Sequence, residues 1–150
     1  MHSPRFDIRP ARADDLVAVQ QLVVAAGLPA DGIDDQFGDG YAIAESGGGA
    51  IGVEGIEVHG TDGLLRSAAV DPAWRGAGVG DALTRDRLQW AATRGLREVW
   101  LLTTSAADYF PRFGFERVDR ASAPVLIRQS RQFSETCCAT AVAMRLTLAH

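Results

Sequence analysis

The stretch of this chain best suited to hold a phosphate group is Arg75-Gly76-Ala77-Gly78-Val79-Gly80. It comes after an apolar run and a Pro-marked turn, LLRSAAVDPAW from Leu64 to Trp74, and it opens onto residues with helical spacing. A strand that ends at a Gly-rich turn brings backbone N–H groups to the start of a helix, where the dipole favours an anion. Arg75 adds a fixed positive charge that matches phosphate oxygens. Glycines near a turn signal tight packing more often than a ligand, but here strand, turn, arginine and helix agree.

Glycine spacing separates this loop from two other phosphate cradles. A P-loop needs Lys and then Ser or Thr after its last glycine, whereas Gly80 is succeeded by Asp81 and Ala82. A dinucleotide fingerprint needs G-x-G-x-x-G and an acidic residue at the end of the next strand. Gly76, Gly78 and Gly80 are evenly spaced, and the next strand-like run, Glu98 to Thr104, ends in threonines. Walker-type nucleotide binding is excluded and dinucleotide binding is disfavoured.

Composition narrows the partners. The chain of 150 residues, nearly half of them apolar, is expected to form one domain over residues 1–150 with a proper core. Net charge is −4 with a pI near 5.3, and the 15 basic residues are scattered, so neither nucleic acid nor a membrane surface is an expected partner. No apolar run reaches transmembrane length, and MHSPRFDIRP carries no apolar signal core, so a cytoplasmic location is expected. Cys137 and Cys138 are adjacent, where a disulfide is strained, and are expected to be reduced, buried thiols. Soft thiolates could also bind trivalent arsenic, though two are fewer than a thiolate cage prefers. His2, His59 and His150 lie far apart without zinc-ligand spacing, so no metal site is expected.

Periodicity gives the elements that must position the loop. Phe6, Ile8 and Pro10 open a short strand, and Leu16, Val19, Leu22, Val23 and Ala26 repeat with helical spacing before Gly27 and Pro29 end the helix. Asp31 to Phe37 is compatible with a short second helix that could form a lid. Tyr41–Glu45, Ala50–Val58 and Leu64–Val70 read as three strands of an antiparallel meander, separated by the turn-rich Ser46–Gly49 and Gly60–Gly63. Val79 to Arg94 is the helix after the loop, with Ala82, Leu83, Trp90 and Ala91 as inward positions; Asp86 and Arg87 interrupt that stripe. Glu98 to Thr104 reads as a buried strand parallel to the one before the loop, because the intervening helix is the crossover that parallel pairing requires. A short helix over Ala106–Phe113, a strand to about Val118, a helix over Pro124–Glu135 and a last strand over Ala139–Leu148 complete a mixed α+β order.

R-x-x-G-x-G directly after a strand ending in Val70 resembles the acetyl-CoA motif of the GNAT acyltransferase superfamily, and the order of elements matches that fold across nearly the whole chain. LLRSAAVDPAWRGAGVG, REVWLLTTSAADYFPRFGFERVDR and the tail SETCCATAVAMR are similar to the arsenic-resistance N-acetyltransferases of bacterial arsenic operons, a GNAT branch. The resemblance implies a single GNAT domain whose central, mostly antiparallel twisted sheet carries a splayed parallel pair and is flanked by helices. It implies acetyl-CoA as cosubstrate with no metal. It also implies transfer to the amino group of a small molecule, a toxic arsenic- or phosphinothricin-like amino-acid analogue, as detoxification.

The same resemblance implies roles for individual residues. Ala68, Ala69 and Val70 match the strand along which the pantetheine arm lies, and a main-chain N–H near Val70 would polarise the thioester carbonyl, a donor typically worth about 3–4 kcal/mol. The same residues read equally well as core strand. Arg75, Gly76, Ala77, Gly78, Val79 and Gly80 match the pyrophosphate loop. Thr103, with Thr104, falls where many relatives carry an asparagine that contacts the cofactor or an active-site water. The usual tyrosine acid stands four residues before the Gly of a Gly-Phe pair; counting back from Gly114 reaches Phe110, and Tyr109 lies about 100° away around an α-helix. Either no tyrosine acid or protonation by water is therefore expected, with Tyr109 more a packing residue than an acid.

A carboxylate is the usual base for the attacking amine. Glu57 is the first choice, because the hairpin places it nearly level with Arg66; Glu54 and Glu45 are reserves, and glutamates on strands more often face solvent. Arg66 and Ser67 precede the cofactor segment, and strand alternation would turn one of them toward the substrate pocket. Arg66 then has two equal readings: recognition of an acceptor carboxylate or phosphinate, and a cross-strand pair with Glu57. Two other functions stay open, a non-catalytic acyl-CoA sensor and a more general small-amine or protein N-acetyltransferase, as does a homodimer through the last strands.

Overall fold

Strand β2 explains why the apolar runs of this chain are continuous rather than alternating. In the computed structural model, which describes residues 5–130, 133 and 141–148, β2 spans Tyr41–Ser46 and all of Tyr41 to Ala44 are buried. Tyr41 and Ile43 join the core of helix α1 (Leu16–Ala25) with Val19, Val23 and Val53, whereas Ala42 and Ala44 join that of helix α2 (Val79–Thr93) with Ile51, Val79 and Leu83. Side chains on a strand point alternately to its two faces, so a strand covered on both sides must be apolar throughout.

The chain forms two compact units, residues 1–56 with 67–90 and residues 57–66 with 91–150. In the first, β1 (Asp7–Pro10) pairs antiparallel with β2, Ile8 opposite Ala44, and β2 pairs antiparallel with β3 (Gly49–His59), Ile43 opposite Val53. Arg9 ties β1 to both neighbours, with Nη1 2.8 Å from Asp15 and Nη2 3.0 Å from Glu45. The reserve Glu45 thereby has a structural role.

In the second unit the first residues of β4 (Asp62–Val70) run parallel to β5 (Glu98–Thr103), and β7 (Val142–Thr147) pairs antiparallel with both β5 and β6 (Glu116–Val118). Leu64, Trp100, Ala123, Ile127, Phe133 and Ala143 form its core. Among the described residues, hydrogen bonding joins the strands in the order β1-β2-β3-β4-β5-β7-β6, a mixed sheet with β4 and β5 parallel, flanked by helices, which is the expected fold class.

Several elements differ from expectation. Asp31–Phe37 contains only a 3-10 turn at Ile33–Asp35, and Ala106–Phe113 is a hydrogen-bonded turn leading into a 3-10 turn at Phe110–Phe113. Pro111 explains the latter, since it has no N–H to give to an α-helical ladder. Of the helix expected over Pro124–Glu135, the structure describes α3, Val125–Arg128; most of residues 131–140, including Cys137 and Cys138, lie outside the described residues. On α2 the interior stripe is Val79, Leu83, Thr84, Arg87 and Ala91, whereas Ala82 and Trp90 are only half-buried. Arg87 is tolerated inside because it donates to Asp86 at 2.7 Å and to the Asp39 carbonyl at 2.9 Å.

Gly55 of β3 faces the ring of Tyr41, and a Cβ built at Gly55 would overlap that buried ring. Gly55→Ala is expected to cost about 1–3 kcal/mol through overpacking, read as a lower urea midpoint with an unchanged slope.

Candidate functional site

The turn after β4 is built to present Arg75. The Asp71 N–H donates to the Ile51 carbonyl at 2.8 Å, and the Asp71 carboxylate accepts the Ala73 N–H at 2.9 Å, capping the 3-10 turn Pro72–Trp74. Arg75 comes next, with an extended backbone and an exposed side chain. Gly76 and Gly78 have φ of +82° and +84°, where a side chain is strained, although a Cβ at either would meet nothing within 4 Å. Conformation rather than crowding therefore requires glycine here.

Helix α2 starts at the buried Val79, and its leading N–H groups have no intrahelical acceptor. Ala77 and Gly80 are half-buried beside it. A cavity of about 280 Å³ adjoins the loop, lined by α1 residues including Gln21 and Leu22 together with Ala50, Val70, Asp71, Pro72 and Arg75. Positive charge, a helix start and a neighbouring recess fit a phosphorylated cofactor.

Strand β4 is irregular just before the loop. Its parallel register with β5 covers Asp62, Gly63 and Leu64, opposite Glu98, Val99 and Trp100, while β4 itself continues to Val70. Ser67 has φ +60°, an uncommon conformation for a residue with a Cβ. Arg66 and Ser67 are consecutive and both buried, at the end of a buried run that starts at Asp62. Beyond it Ala68 is exposed, Ala69 buried and Val70 half-buried.

The hairpin at Gly60 brings Glu57, His59 and Arg66 together. Arg66 Nη1 donates to Glu57 Oε2 at 3.1 Å, and His59 Nε2 lies 3.2 Å from Glu57 Oε1. Burial pushes the Glu57 carboxyl up, but the His59 hydrogen bond and the Arg66 charge together hold it below its ordinary value. Of the two readings of Arg66, the cross-strand pair is the one present in the structure. A carboxylate held ionised in this way is a weak proton acceptor but a strong hydrogen-bond acceptor.

Glu54 is different. It is buried against α2, accepts a hydrogen bond from the Thr84 hydroxyl at 2.8 Å, and has no hydrogen-bond partner for its buried Oε2. Burial pushes its carboxyl up to about 8, with Thr84 and Arg87 pulling the other way and Asp86 adding to the rise.

Thr103 is half-buried, and its hydroxyl accepts the N–H groups of Ala106 at 2.9 Å and Ser105 at 3.3 Å, a local turn cap. Phe110 is buried, with its ring 5.7 Å from that of Phe115; half-buried Tyr109 stacks edge-on against Phe110 and Phe113 and lies under the Arg112 guanidinium. Sequence reasoning considered His59 only for zinc spacing; its position two residues from Glu57, on one face of a strand next to a hairpin, was the available signal. It also missed the burial of Thr84 and the left-handed Ser67, for which no residue type gives notice.

The sheet with its parallel pair and the loop opening α2 define an acyl-CoA-dependent acyltransferase domain. Residues 38–117 match the acetyltransferase (GNAT) domain family, and the chain belongs to that family, whose acyl donor is acetyl-CoA. The mycothiol acetyltransferase of Amycolatopsis mediterranei is 34% identical across 53% of this chain and 31% of that protein. The amino-acid acetyltransferase of Mycobacterium tuberculosis is 36% identical across 48% and 41%. The chain spans less than half the length of either relative. Among solved structures, Rv2747 of M. tuberculosis in complex with CoA superposes with a TM-score of 0.81 at 24% identity, covering 95% of this chain and 99% of that one. The N-acetylglutamate synthase of Neisseria gonorrhoeae, complexed with coenzyme A and N-acetyl-glutamate, gives 0.83 at 17% identity over 99% and 36%. At these identities the likeness is one of fold.

Arg75→Ala is expected to weaken CoA binding about tenfold or more, the scale of one charge-assisted hydrogen bond. Calorimetric titration with CoA checks this, and acetyl-pantetheine, which lacks the pyrophosphate, should bind the variant and the wild type alike.

Proposed function

We propose that the chain transfers the acetyl group of acetyl-CoA to the amino group of a small amino acid or amino-acid analogue. The observation that carries this reading is the Arg75–Gly80 loop, with its left-handed glycines and helix start, within a GNAT domain. In it Ala68, Ala69 and Val70 line the pantetheine arm, and a main-chain N–H near Val70 faces the thioester carbonyl. Arg75 to Gly80 hold the pyrophosphate, and Thr103 borders the cofactor.

Arg66, Ser67 and Glu57 serve the acceptor. The acceptor class is supported by the amino-acid acetyltransferase among the relatives; Arg66, enclosed and paired with Glu57, would serve the acceptor through that carboxylate rather than by direct contact. Within that class, arsenic- and phosphinothricin-like analogues are the proposed substrates, and detoxification the proposed role. With Phe110 where a tyrosine would donate a proton, the CoA thiolate takes its proton from water.

Thiol release from acetyl-CoA, measured with a panel of amino acids, phosphinothricin analogues, simple amines and N-terminal peptides, tests the reading. Release restricted to α-amino acids and their analogues supports it; release only with peptides contradicts it. The buried Phe110 favours one second reading, a non-catalytic acyl-CoA sensor, and tight CoA binding without turnover on any amine would establish that instead.

A further inference from the structure

We propose that Glu54 and Thr84 form a latch that seats helix α2 on strand β3, and that the latch opens in alkaline solution and loosens the hold of the Arg75–Gly80 loop on CoA. The inference rests on the cofactor reading of that loop and adds a control on it. Every group it needs lies in the first compact unit, residues 1–56 with 67–90.

A short stretch of β3 carries both ends of the loop. The Ile51 carbonyl accepts the Asp71 N–H at 2.8 Å, where the chain leaves β4. Gly52 lies against the start of α2, and a Cβ there would come 3.0 Å from both Val79 and Leu83. Two residues on, Glu54 accepts the Thr84 hydroxyl at 2.8 Å. The apolar contacts of Val79 and Leu83 with Ala42, Ala44 and Ile51 hold the helix down without direction, whereas a hydrogen bond fixes its rotation. Thr84 stands five residues after Val79, about 7–8 Å along the axis, so a shift of the helix at Thr84 reaches the loop at its start.

One charge state suits the latch. Glu54 is enclosed, its Oε1 takes the Thr84 hydrogen, and its Oε2 has no hydrogen-bond partner. A neutral carboxyl is far less costly in such a place than an anion. Among the described residues, the charged groups acting on it are Arg87, which favours the anion, and Asp86, which opposes it, both on α2. β2 places Ala42 opposite it, and β4, its other neighbour in the sheet, contributes no charge. Arg87 is engaged elsewhere, donating to Asp86 at 2.7 and 3.0 Å and to the Asp39 carbonyl at 2.9 Å. An ionised Glu54 therefore draws Arg87 away from those partners or lifts α2 to admit water, and either reseats the helix. Burial pushes the carboxyl up to about 8, so the latch is closed below that value and open above it. The chain has no lysine, so few other groups change charge there.

Calorimetric titration with a thioether analogue of CoA, whose sulfur cannot ionise, tests this from about pH 7 to about pH 8.5, with circular dichroism at each pH to establish that the protein is folded. The wild-type Kd should rise about twofold or more across that range, the part then reached of a coupling of about fivefold or more. The Kd of Glu54→Gln should not change with pH. Glu54→Met, which has no titrating group either, serves if Glu54→Gln does not fold. Thr84→Val removes the hydroxyl without adding charge and should weaken binding already at about pH 7. A wild-type Kd that changes by less than about twofold overturns the inference, as does a Glu54→Gln variant that weakens in step with the wild type. A Thr84→Val variant that binds like the wild type at about pH 7 reduces the effect to the charge of Glu54 alone and overturns the latch. A wild type that binds the analogue at no pH overturns the cofactor reading first, and is distinguishable from all three.

Discussion

Arg66→Met is expected to destabilise the protein by about 3–5 kcal/mol at neutral pH, the cost of leaving a buried carboxylate without its cation. Arg66 and Glu57 are both almost wholly enclosed, so water cannot take the place of the guanidinium. The Glu57 carboxyl titrates below its ordinary value, and its contribution to stability is therefore present above the unfolded value and lost as pH falls through the folded one. Loss of the Arg66 charge raises the Glu57 carboxyl from its wild-type position, so the penalty should shrink toward about pH 4, where the unfolded carboxylate is also neutralising. Urea denaturation of wild type, Arg66→Met and Arg66→Met/Glu57→Gln at several pH values checks this. The double variant should recover at least half of the loss; equal loss in single and double variants would show that the guanidinium acts through packing rather than charge.

The second large effect concerns Glu54. Its carboxyl is pushed up to about 8 from an ordinary value of 4.5, with burial the leading cause. A raised carboxyl means that the native state keeps a proton the unfolded chain releases. Its contribution to stability is complete below the unfolded value and is lost as pH rises, levelling off only above the folded value. The total is on the order of 4 kcal/mol. Glu54→Gln removes that titration while keeping a carbonyl oxygen for Thr84. The variant should match wild type within about 1 kcal/mol near pH 5 and exceed it by several near pH 9. Parallel stability curves across that range would contradict the assignment. The variant's CoA affinity measured near pH 9 reports whether the anchoring of α2 at Thr84 reaches the loop at the helix start.

The cradle was legible because each of its parts has a local cause: Arg75 and the glycines announce themselves by type, and Pro72 announces the turn. The parallel placement of β4 and β5 was legible for the same reason, since a helix of the length of α2 between two apolar runs leaves few alternatives. The difference between Glu54 and Glu57 was not. They sit three residues apart on one strand, and their environments are supplied by Thr84 and Arg87 in one case and by Arg66 and His59 in the other, so the separation of their titrations is a tertiary property. Ser67 was illegible for another reason: nothing about serine predicts a left-handed φ, and the kink is imposed by the surroundings. At Phe110 a one-residue count captured the absent phenol, whereas the α-helix assumed around it gave way to a 3-10 turn because of Pro111.

The chain leaves its first compact unit after Ile56, returns at Ser67 and leaves again after Trp90. Neither unit is therefore a contiguous segment, and no single cut in the chain separates one cleanly from the other. A gene fragment ending at Trp90 carries the hairpin 57–66 away from its own unit, and a fragment starting at Ala91 lacks it. A swap of the second unit between relatives must exchange that hairpin along with residues 91–150. Recombination would thus tend to inherit the cluster around Glu57 and the C-terminal strands together, leaving the Arg75–Gly80 loop to vary on its own.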